Sequence, residues 1–255
     1  MLHTIRHGSP GPHPPLLIAH GLFGSARNWG VIAKRLSDTR QVVAVDMRNH
    51  GSSFWSDSHS YPDLAADLAA VLGQMPTPAD VLGHSMGGKA AMMFALTQPD
   101  LVRRLVVADI APVAYTHTQQ PQIDAMRRVD LAHVANRAEA EAQMQATSPA
   151  IAAFLLQSLD LAERRWRVNL DVLERDMGQI TGWPAITGHF PRPALFLAGA
   201  DSDYVRPEHR ATIRALFPRA RFARITGAGH WLHAEKPREF EETVRAFLDA
   251  PDTPA

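Results

Sequence analysis

Short apolar runs alternate with amphipathic stretches along most of the chain. The runs that predict strands are residues 16–19, 41–45, 79–82, 105–108, 194–198 and 221–226. The stretches that predict helices between them are residues 28–36, 61–72, 89–97, 206–217 and 237–248. Continuous apolar strands separated by helices are typical of a mostly parallel sheet with helices on both faces. Such α/β sheets hold their functional sites at the carboxyl ends of the strands.

This alternation stops between residues 111 and 191, where the pattern is helical and poor in strands. The predicted helices there are residues 121–134, 137–146, 148–159 and 169–180. We predict that residues 1–111 and 191–255 form one α/β core, and that residues 112–190 form a helical cap over the strand ends. The alternative is that these helices merely cover the sheet. We favour the cap because both of its ends emerge beside candidate catalytic residues.

Composition excludes several classes of protein. The chain has 255 residues, a formal net charge of zero and no cysteine. A neutral chain has no basic footprint for nucleic acid, and the lack of cysteine removes disulfides and thiolate metal sites. No apolar run approaches the roughly 18 residues needed to span a bilayer. The first residues lack the hydrophobic region of a signal peptide, so we expect a cytoplasmic protein of unknown oligomeric state.

The segment Gly83-His84-Ser85-Met86-Gly87 carries the strongest chemical signal. It lies between a predicted strand and a predicted helix, which is the context of a nucleophile elbow. The turn must be so tight that a Cβ two residues before or after the serine would clash. The pattern therefore predicts Ser85 as a catalytic nucleophile.

A serine nucleophile needs a base, and His230 follows the last predicted strand within Gly227-Ala228-Gly229-His230-Trp231. Among the 13 histidines, we interpret His233 as structural and expect His20 and His84 to brace backbone. Other histidines are expected to be solvated: His3, His13, His59, His117 and His209. A histidine in a Gly-bracketed loop at a strand end can reach the serine, which favours His230.

The oxyanion hole of such a site needs two N–H groups. The backbone N–H of Met86 is one candidate. The His20-Gly21-Leu22 turn is expected to supply the second through Leu22, with Phe23 as the alternative.

These motifs resemble the α/β-hydrolase superfamily of serine hydrolases. The landmarks are His20-Gly21, residues 46–51, residues 83–88 and Gly229-His230. Longer fragments resemble the small bacterial acyl esterases of the ybfF type and the abhydrolase domain-containing protein 11 group. In the strand numbering of that superfamily, the helical cap is inserted after the sixth strand.

The resemblance implies a serine esterase that hydrolyses short to medium acyl esters without a cofactor, with acyl-CoA thioesters as a further candidate. The alternatives are an amidase or lactonase with the same residues, and a non-catalytic binding protein on this fold. A dehalogenase or epoxide hydrolase is disfavoured, since both carry an aspartate where Ser85 stands.

The acid that partners His230 has two candidate positions. Most hydrolases of this fold carry it after the seventh strand, where Ser202 stands here between Asp201 and Asp203. The other candidate is Asp109, which ends an apolar strand, and the resembled subfamily has its acid there. We favour Asp109, with Ser202 as an auxiliary hydrogen-bonding partner of His230.

Candidate substrate contacts come from the site loops and the cap. We expect Phe154, Leu155 and Trp166 to form the wall of an acyl pocket, or to seal the cap to the core. The further candidates are Phe23, His84 and Trp231. Arg48 and His50 could hold an anionic group, although such a loop is more often tied down by Asp46. The spacing of His230 and His233 alone predicts no metal site.

Overall fold

A computed structural model describes residues 1–146 and 148–251 of the chain. Residues 147 and 252–255, which belong to the predicted cap and core, lie outside the described residues. The strands of the main sheet are β1 (Thr4–His7), β2 (Leu16–Ala19), β3 (Val42–Val45), β4 (Ala79–His84), β5 (Val102–Ala108), β8 (Ala194–Gly199) and β9 (Ala220–Ile225), and a separate hairpin is formed by β6 (Leu159–Asp160) and β7 (Arg165–Trp166).

Within the described residues the main sheet has seven strands in the order β1-β3-β2-β4-β5-β8-β9. Strand β1 runs antiparallel to β3, and the other neighbouring strands are parallel. Strands β2, β3 and β8 are buried along their whole length, which explains their continuous apolar runs. The sequence did not predict β1, because this half-buried edge strand mixes polar with apolar residues.

The helices of the core follow the predicted pattern more closely than those between β5 and β8. All the helices in chain order are α1 (Gly30–Leu36), α2 (Tyr61–Leu72), α3 (Met86–Thr97), α4 (Gln120–Arg127), α5 (Arg137–Met144), α6 (Pro149–Leu156), α7 (Leu170–Arg175), α8 (Met177–Thr181), α9 (His209–Leu216), α10 (Leu232–Glu235) and α11 (Pro237–Leu248). Helix α2 begins where the Ser60 hydroxyl accepts a hydrogen bond from the Asp63 N–H, a usual N-terminal cap. Short 3-10 helices at Ala26–Trp29 and Pro99–Leu101 complete the connections.

Two apolar clusters pack on the sheet. One contains Ile32 of α1 and Phe240 of α11, and the other contains Leu68 of α2 and Phe94 of α3. Met92, Met93 and Phe94 of α3 are buried in the second of these clusters. The parallel sheet with helices packed against it is the α/β architecture that the sequence predicts.

The segment between β5 and β8 contains helices α4 to α8 and the β6–β7 hairpin. The helix predicted at residues 121–134 ends at Arg127, and the one predicted at residues 169–180 is divided at Asp176. The Asp176 carboxylate accepts a hydrogen bond from the His59 N–H at 3.1 Å, which ties that break to the core. Counted along this chain, the preceding strand is the fifth. The division into core and cap stays a prediction.

Buried side chains of this helical segment continue the core. Ile123 and Met126 of α4 and Leu173 of α7 belong to the same apolar cluster as α2 and α3. Across residues 1–146 and 148–251, no helix is both long enough and apolar enough to cross a membrane. The expected cytoplasmic location stays a prediction.

Candidate active site

The predicted functional residues meet at the carboxyl ends of the parallel strands. Ser85 follows β4, Asp109 follows β5, and the loop with Ser202 follows β8. His230 lies in the loop after β9. Ser85 and His230 line a cavity that is open to solvent and that the loop after β2 and parts of α6 and α8 also line.

Ser85 occupies a strained turn between β4 and α3. Its φ of 52° lies in the left-handed region, which a residue with a side chain rarely adopts. A Cβ at Gly83 would stand 2.2 Å from the Gly87 carbonyl oxygen, and one at Gly87 would stand 2.4 Å from the His20 carbonyl oxygen. Only glycine fits at these two positions, which is the steric constraint expected for a nucleophile elbow.

His230 connects the serine to a buried carboxylate. Its Nε2 lies 3.1 Å from the Ser85 Oγ, and its Nδ1 lies 2.7 Å from the Asp109 Oδ2. Since an ionised carboxylate only accepts hydrogen bonds, Nδ1 carries the proton and Nε2 is free to accept the serine proton. The Tyr204 ring stacks on the imidazole with 4.0 Å between ring centroids, and the His84 Nε2 donates to the His230 carbonyl oxygen at 2.9 Å.

Asp109 is fully buried and has several hydrogen-bond donors. The Gly199 N–H donates to its Oδ1 at 3.1 Å, and the Ser202 hydroxyl donates to its Oδ2 at 2.5 Å. Its φ of 50° also lies in the left-handed region. A buried carboxylate needs such donors, since an unpaired charge is costly away from water.

The other acid candidates lie apart from His230. Asp201 and Asp203 are exposed, and the Asp203 carboxylate pairs with the Arg206 guanidinium at 2.7 Å. Ser202 contacts the acid and not the base. The predicted hydrogen bond from Ser202 to His230 is therefore wrong: the buried Asp109 carboxylate takes the Ser202 hydroxyl as one of its donors.

The two residues predicted to supply the oxyanion donors, Leu22 and Met86, line the cavity together with Ser85. Across the described residues, neither Leu22 N–H nor Met86 N–H donates a hydrogen bond, and both residues line the cavity. The alternative donor is occupied, because the Phe23 N–H donates to His50 Nε2 at 3.2 Å. The Gly21 carbonyl accepts from His20 Nδ1 at 2.7 Å. A trans peptide points its C=O and N–H in opposite directions, so this bond turns the Leu22 N–H away from His20.

The cavity wall includes five of the six predicted substrate contacts. Phe23, His84, Phe154, Leu155 and Trp231 line it, and the Phe154 and Trp231 rings lie 5.4 Å apart between centroids.

The prediction for Trp166 is wrong. This side chain is buried in the β6–β7 hairpin, outside the cavity wall, and its indole N–H donates to the Met126 carbonyl at 3.0 Å. Trp166 therefore joins the hairpin to α4, and both of these elements lie within residues 112–190.

Sequence reasoning missed Lys89, one turn after Ser85 on the elbow helix. Its ammonium donates to the carbonyl oxygens of Thr181 at 2.9 Å and Gly182 at 2.5 Å, and lies 4.8 Å from the centroid of the Tyr115 ring. Burial lowers the pKa of Lys89 to about 7. The signal in the sequence was a single charge within the apolar run of α3.

The histidines around the site are mostly buried and uncharged. Burial lowers the pKa of His20 to about 4 and those of His50 and His233 to about 3. His233 stacks on the Trp29 ring at 4.3 Å, in line with its structural interpretation. The expectation that His59 is solvated is wrong, because this residue is buried with its Nε2 3.1 Å from the Met86 sulfur.

The loop at residues 46–51 is tied into the fold. The Asp46 carboxylate accepts from the Ala26 N–H at 2.7 Å and from the Ser52 N–H at 2.8 Å. Arg48 is mostly buried and pairs with the Asp67 carboxylate at 2.5 Å, which raises its pKa against the effect of burial. These contacts favour a structural loop over an anion site at Arg48 and His50. Across the described residues, no group of three or more candidate ligands could hold a metal ion.

Comparison with known proteins agrees with this architecture. The sequence matches the family described as alpha/beta hydrolase fold over residues 14–237. The solved structure of a marine microorganism esterase has a TM-score of 0.90 and 37% identity, covering 96% of this chain and 98% of that one. The chain therefore belongs to the α/β-hydrolase fold family, as the sequence motifs predict.

Named relatives narrow the class further. The sn-1-specific diacylglycerol lipase ABHD11 of Mus musculus is 40% identical over 248 residues, which cover 92% of this chain and 81% of that protein. Esterase YbfF of Escherichia coli (strain K12) is 39% identical over 239 residues, which cover 92% of this chain and 93% of that protein. The protein is a carboxylic ester hydrolase, and the predicted enzyme class is confirmed.

Proposed function

We propose that this ester hydrolase cleaves short to medium acyl esters through a Ser85–His230–Asp109 triad and an acyl-enzyme intermediate. The observation that carries the proposal is the unbroken hydrogen-bonded line from the Ser85 Oγ through His230 to Asp109, with lengths of 3.1 Å and 2.7 Å. A serine hydroxyl is a weak nucleophile unless a neighbouring base takes its proton, and a third group must orient that base.

In the proposed mechanism the Ser85 Oγ attacks the ester carbonyl carbon while His230 Nε2 accepts the hydroxyl proton. The buried Asp109 carboxylate stabilises the imidazolium that forms and keeps the ring in its productive tautomer. His230 then gives the proton to the leaving alcohol as the ester bond breaks. A water molecule attacks the acyl-enzyme by the same route, and Ser85 is regenerated with release of the carboxylic acid.

We assign the oxyanion hole to the N–H groups of Leu22 and Met86. Both residues line the cavity next to Ser85, and neither N–H donates a hydrogen bond within the described residues. Donors of this kind contribute about 3 kcal/mol each to transition-state stabilisation. Because these donors belong to the main chain, substitutions of the Leu22 or Met86 side chains are expected to affect kcat little.

The acyl chain is proposed to lie against Phe154 and Leu155 of α6, with Phe23, His84 and Trp231 as further contacts. Residues 112–190 would then act as a cap, and Ile151, Phe154, Leu155 and Thr181 of that segment line the same cavity. Diacylglycerols and acyl-CoA thioesters are the larger substrates to be tested, the first because one relative is named a diacylglycerol lipase.

Covalent labelling with a fluorophosphonate probe tests the mechanism. We expect the native chain to be labelled and to hydrolyse p-nitrophenyl acyl esters, and Ser85→Ala to fold normally, resist labelling and lose several orders of magnitude in kcat. Retained hydrolysis by Ser85→Ala would overturn the triad. A panel of acyl esters, diacylglycerols, acyl-CoA thioesters, lactones and amides then ranks substrate classes by kcat/KM, and a preference for lactones or amides would overturn the proposal that open-chain acyl esters are the substrates.

A further inference from the structure

His50 lies directly behind the loop that carries the proposed oxyanion donor Leu22. The His50 side chain is fully buried, and its ring is not in the cavity wall. Its Nε2 lies 3.2 Å from the Phe23 nitrogen, and its Nδ1 lies 2.9 Å from the Arg48 carbonyl oxygen. The proposed mechanism assigns no role to this residue.

The two hydrogen bonds fix the tautomer of His50. A carbonyl oxygen only accepts, so the Nδ1 facing Arg48 carries the proton and the Nε2 facing Phe23 accepts the Phe23 N–H. Burial, helped by the neighbouring His20, lowers the pKa of His50 to about 3, so the ring stays neutral at physiological pH. A protonated ring would turn an N–H toward the Phe23 N–H and break this contact.

The hydrogen bond between His50 and the Phe23 N–H fixes the orientation of the Leu22–Phe23 peptide. This peptide directly follows the Gly21–Leu22 peptide, which carries the Leu22 N–H. Phe23 has a φ of 63°, a left-handed conformation that a residue with a side chain keeps only where its surroundings hold it. The buried imidazole supplies such a constraint from one side, and the bond from His20 to the Gly21 carbonyl supplies another from the opposite side. The Leu22 N–H lies between these two anchors.

We propose that His50 is a positioning residue that holds the Phe23 N–H out of the active site and thereby aims the Leu22 N–H at the oxyanion. This inference rests on the proposed mechanism, because it requires Leu22 N–H to be an oxyanion donor. His50 acts through the backbone and does not touch the substrate.

Substitution of His50 by asparagine or by glutamine distinguishes the contributions of the two hydrogen bonds of its ring. In His50→Asn the short amide can still donate to the Arg48 carbonyl but cannot reach Phe23. In His50→Gln the longer side chain brings an acceptor oxygen near the position of the Nε2. We expect His50→Asn to lower kcat by about 10- to 100-fold with a small change in KM, somewhat less than deletion of a whole oxyanion donor. His50→Gln is expected to recover most of this loss.

The preference of the enzyme for a transition-state analogue over a matched ground-state ligand distinguishes the proposed positioning role from a merely structural role. A trifluoromethyl ketone matched to the best acyl chain forms a tetrahedral adduct with an oxyanion, whereas the matched alkyl alcohol binds without one. We expect the ratio of their inhibition constants to fall in His50→Asn by about the same factor as kcat, and to stay near the native value in His50→Gln. Phe217→Leu, at a buried apolar residue that does not line the cavity, is the control for lowered thermal stability and should leave the ratio unchanged.

A native ratio in His50→Asn, or equal losses in His50→Asn and Phe217→Leu, would overturn the role of His50. If His50→Asn does not fold, His50→Gln decides alone, since an unaltered fold with a lost ratio would show that the acceptor does not aim Leu22. Native protein that neither hydrolyses esters nor is labelled at Ser85 would overturn the proposed function itself, and with it this inference.

Discussion

The Ser202 hydroxyl donates a hydrogen bond to the same Asp109 oxygen, Oδ2, that the His230 imidazole contacts. Ser202 stands after β8, at the position where hydrolases of this fold commonly carry the acid, and Asp109 stands after β5. The two loops thus supply a carboxylate and a hydroxyl that meet behind one imidazole. The Asp109 carboxylate contacts His230 directly, and the neutral Ser202 hydroxyl contacts His230 only through that carboxylate.

Exchange of Asp109 for asparagine should remove most activity. The amide cannot stabilise the imidazolium and favours the wrong tautomer of His230, so we expect Asp109→Asn to lower kcat by up to about ten-thousandfold. Asp203→Asn is the matched control, because that carboxylate pairs with Arg206 at the surface. Steady-state kinetics with one ester measures kcat for both variants. A large loss of kcat in Asp203→Asn with a near-native kcat in Asp109→Asn would assign the catalytic acid to the loop after β8.

Removal of the Ser202 hydroxyl should have an intermediate effect. Ser202→Ala leaves Asp109 with the Gly199 N–H and His230, so the carboxylate keeps two of its three partners. A hydrogen bond to a charged group contributes about 1.5 to 3 kcal/mol, so a loss in kcat of about 10- to 150-fold is expected. Ser202→Thr retains a hydroxyl and should recover part of the rate. A full native rate in Ser202→Ala would show that this hydrogen bond does not help to orient His230.

The acyl-chain preference should depend on α6 and not on the hairpin. Shortening Phe154 or Leu155 to alanine enlarges the cavity, so the preference should move toward longer acyl chains, with about 0.8 kcal/mol for each additional buried methylene. Trp166→Phe is the control, since that side chain lies outside the cavity wall. The measurement is kcat/KM across a series of p-nitrophenyl esters. An unshifted profile in both alanine variants would exclude α6 as the acyl wall.

Lys89 should make the stability of the fold depend on pH. Its pKa falls from 10.5 to about 7 on folding, so the unfolded chain binds more protons than the folded chain between those values. Below pH 7 both states are protonated, so the folded state carries the full cost of burying the ammonium. Between pH 7 and about 10.5 the free energy of unfolding rises with pH, by at most about 1.4 kcal/mol per pH unit.

Lys89→Met should remove this pH dependence. Urea unfolding of both chains at pH 7 and pH 9 measures it: the stability of the native chain relative to Lys89→Met should increase at the higher pH. Other titrating groups are common to both chains and cancel in the comparison. A difference that does not change between the two pH values would mean that the ammonium keeps an ordinary pKa, through its two carbonyl partners and the Tyr115 ring.

The sequence predicted six of the seven strands of the main sheet, most of the helices and the contacts of His230 with Ser85 and Asp109. Helices α2 and α11 have the predicted bounds because each carries a continuous apolar face that packs on the sheet. Asp109 was favoured because it ends an apolar strand and because the resembled subfamily has its acid at that position. Such inferences succeed where one local pattern determines both the secondary structure and the position of the side chain.

The errors concern residues whose surroundings come from distant parts of the chain. Trp166 was expected at the cavity, but a large buried aromatic ring fits equally well at any apolar contact, and here it packs against α4. His59 was expected in solvent, yet it is held between Asp176 and Met86. Lys89 gave no signal of its surroundings, since a long side chain on a buried helix can reach several elements. Periodicity separates buried from exposed positions, but it does not say which neighbours a buried polar group will meet.

The apolar cluster that α4 and α7 share with α2 and α3 determines how substrates reach Ser85. Displacing the proposed cap, α4 to α8, as a rigid body would expose those of its apolar side chains that pack on the core, each at a cost of about 1.5 to 3 kcal/mol. Substrates should therefore enter the cavity through an opening whose backbone stays fixed, and rotation of single side chains such as Phe154 and Trp231 should limit their entry. Amide hydrogen exchange in α4 and α7 should then be as slow as in α2 and α3, and should stay so during catalysis.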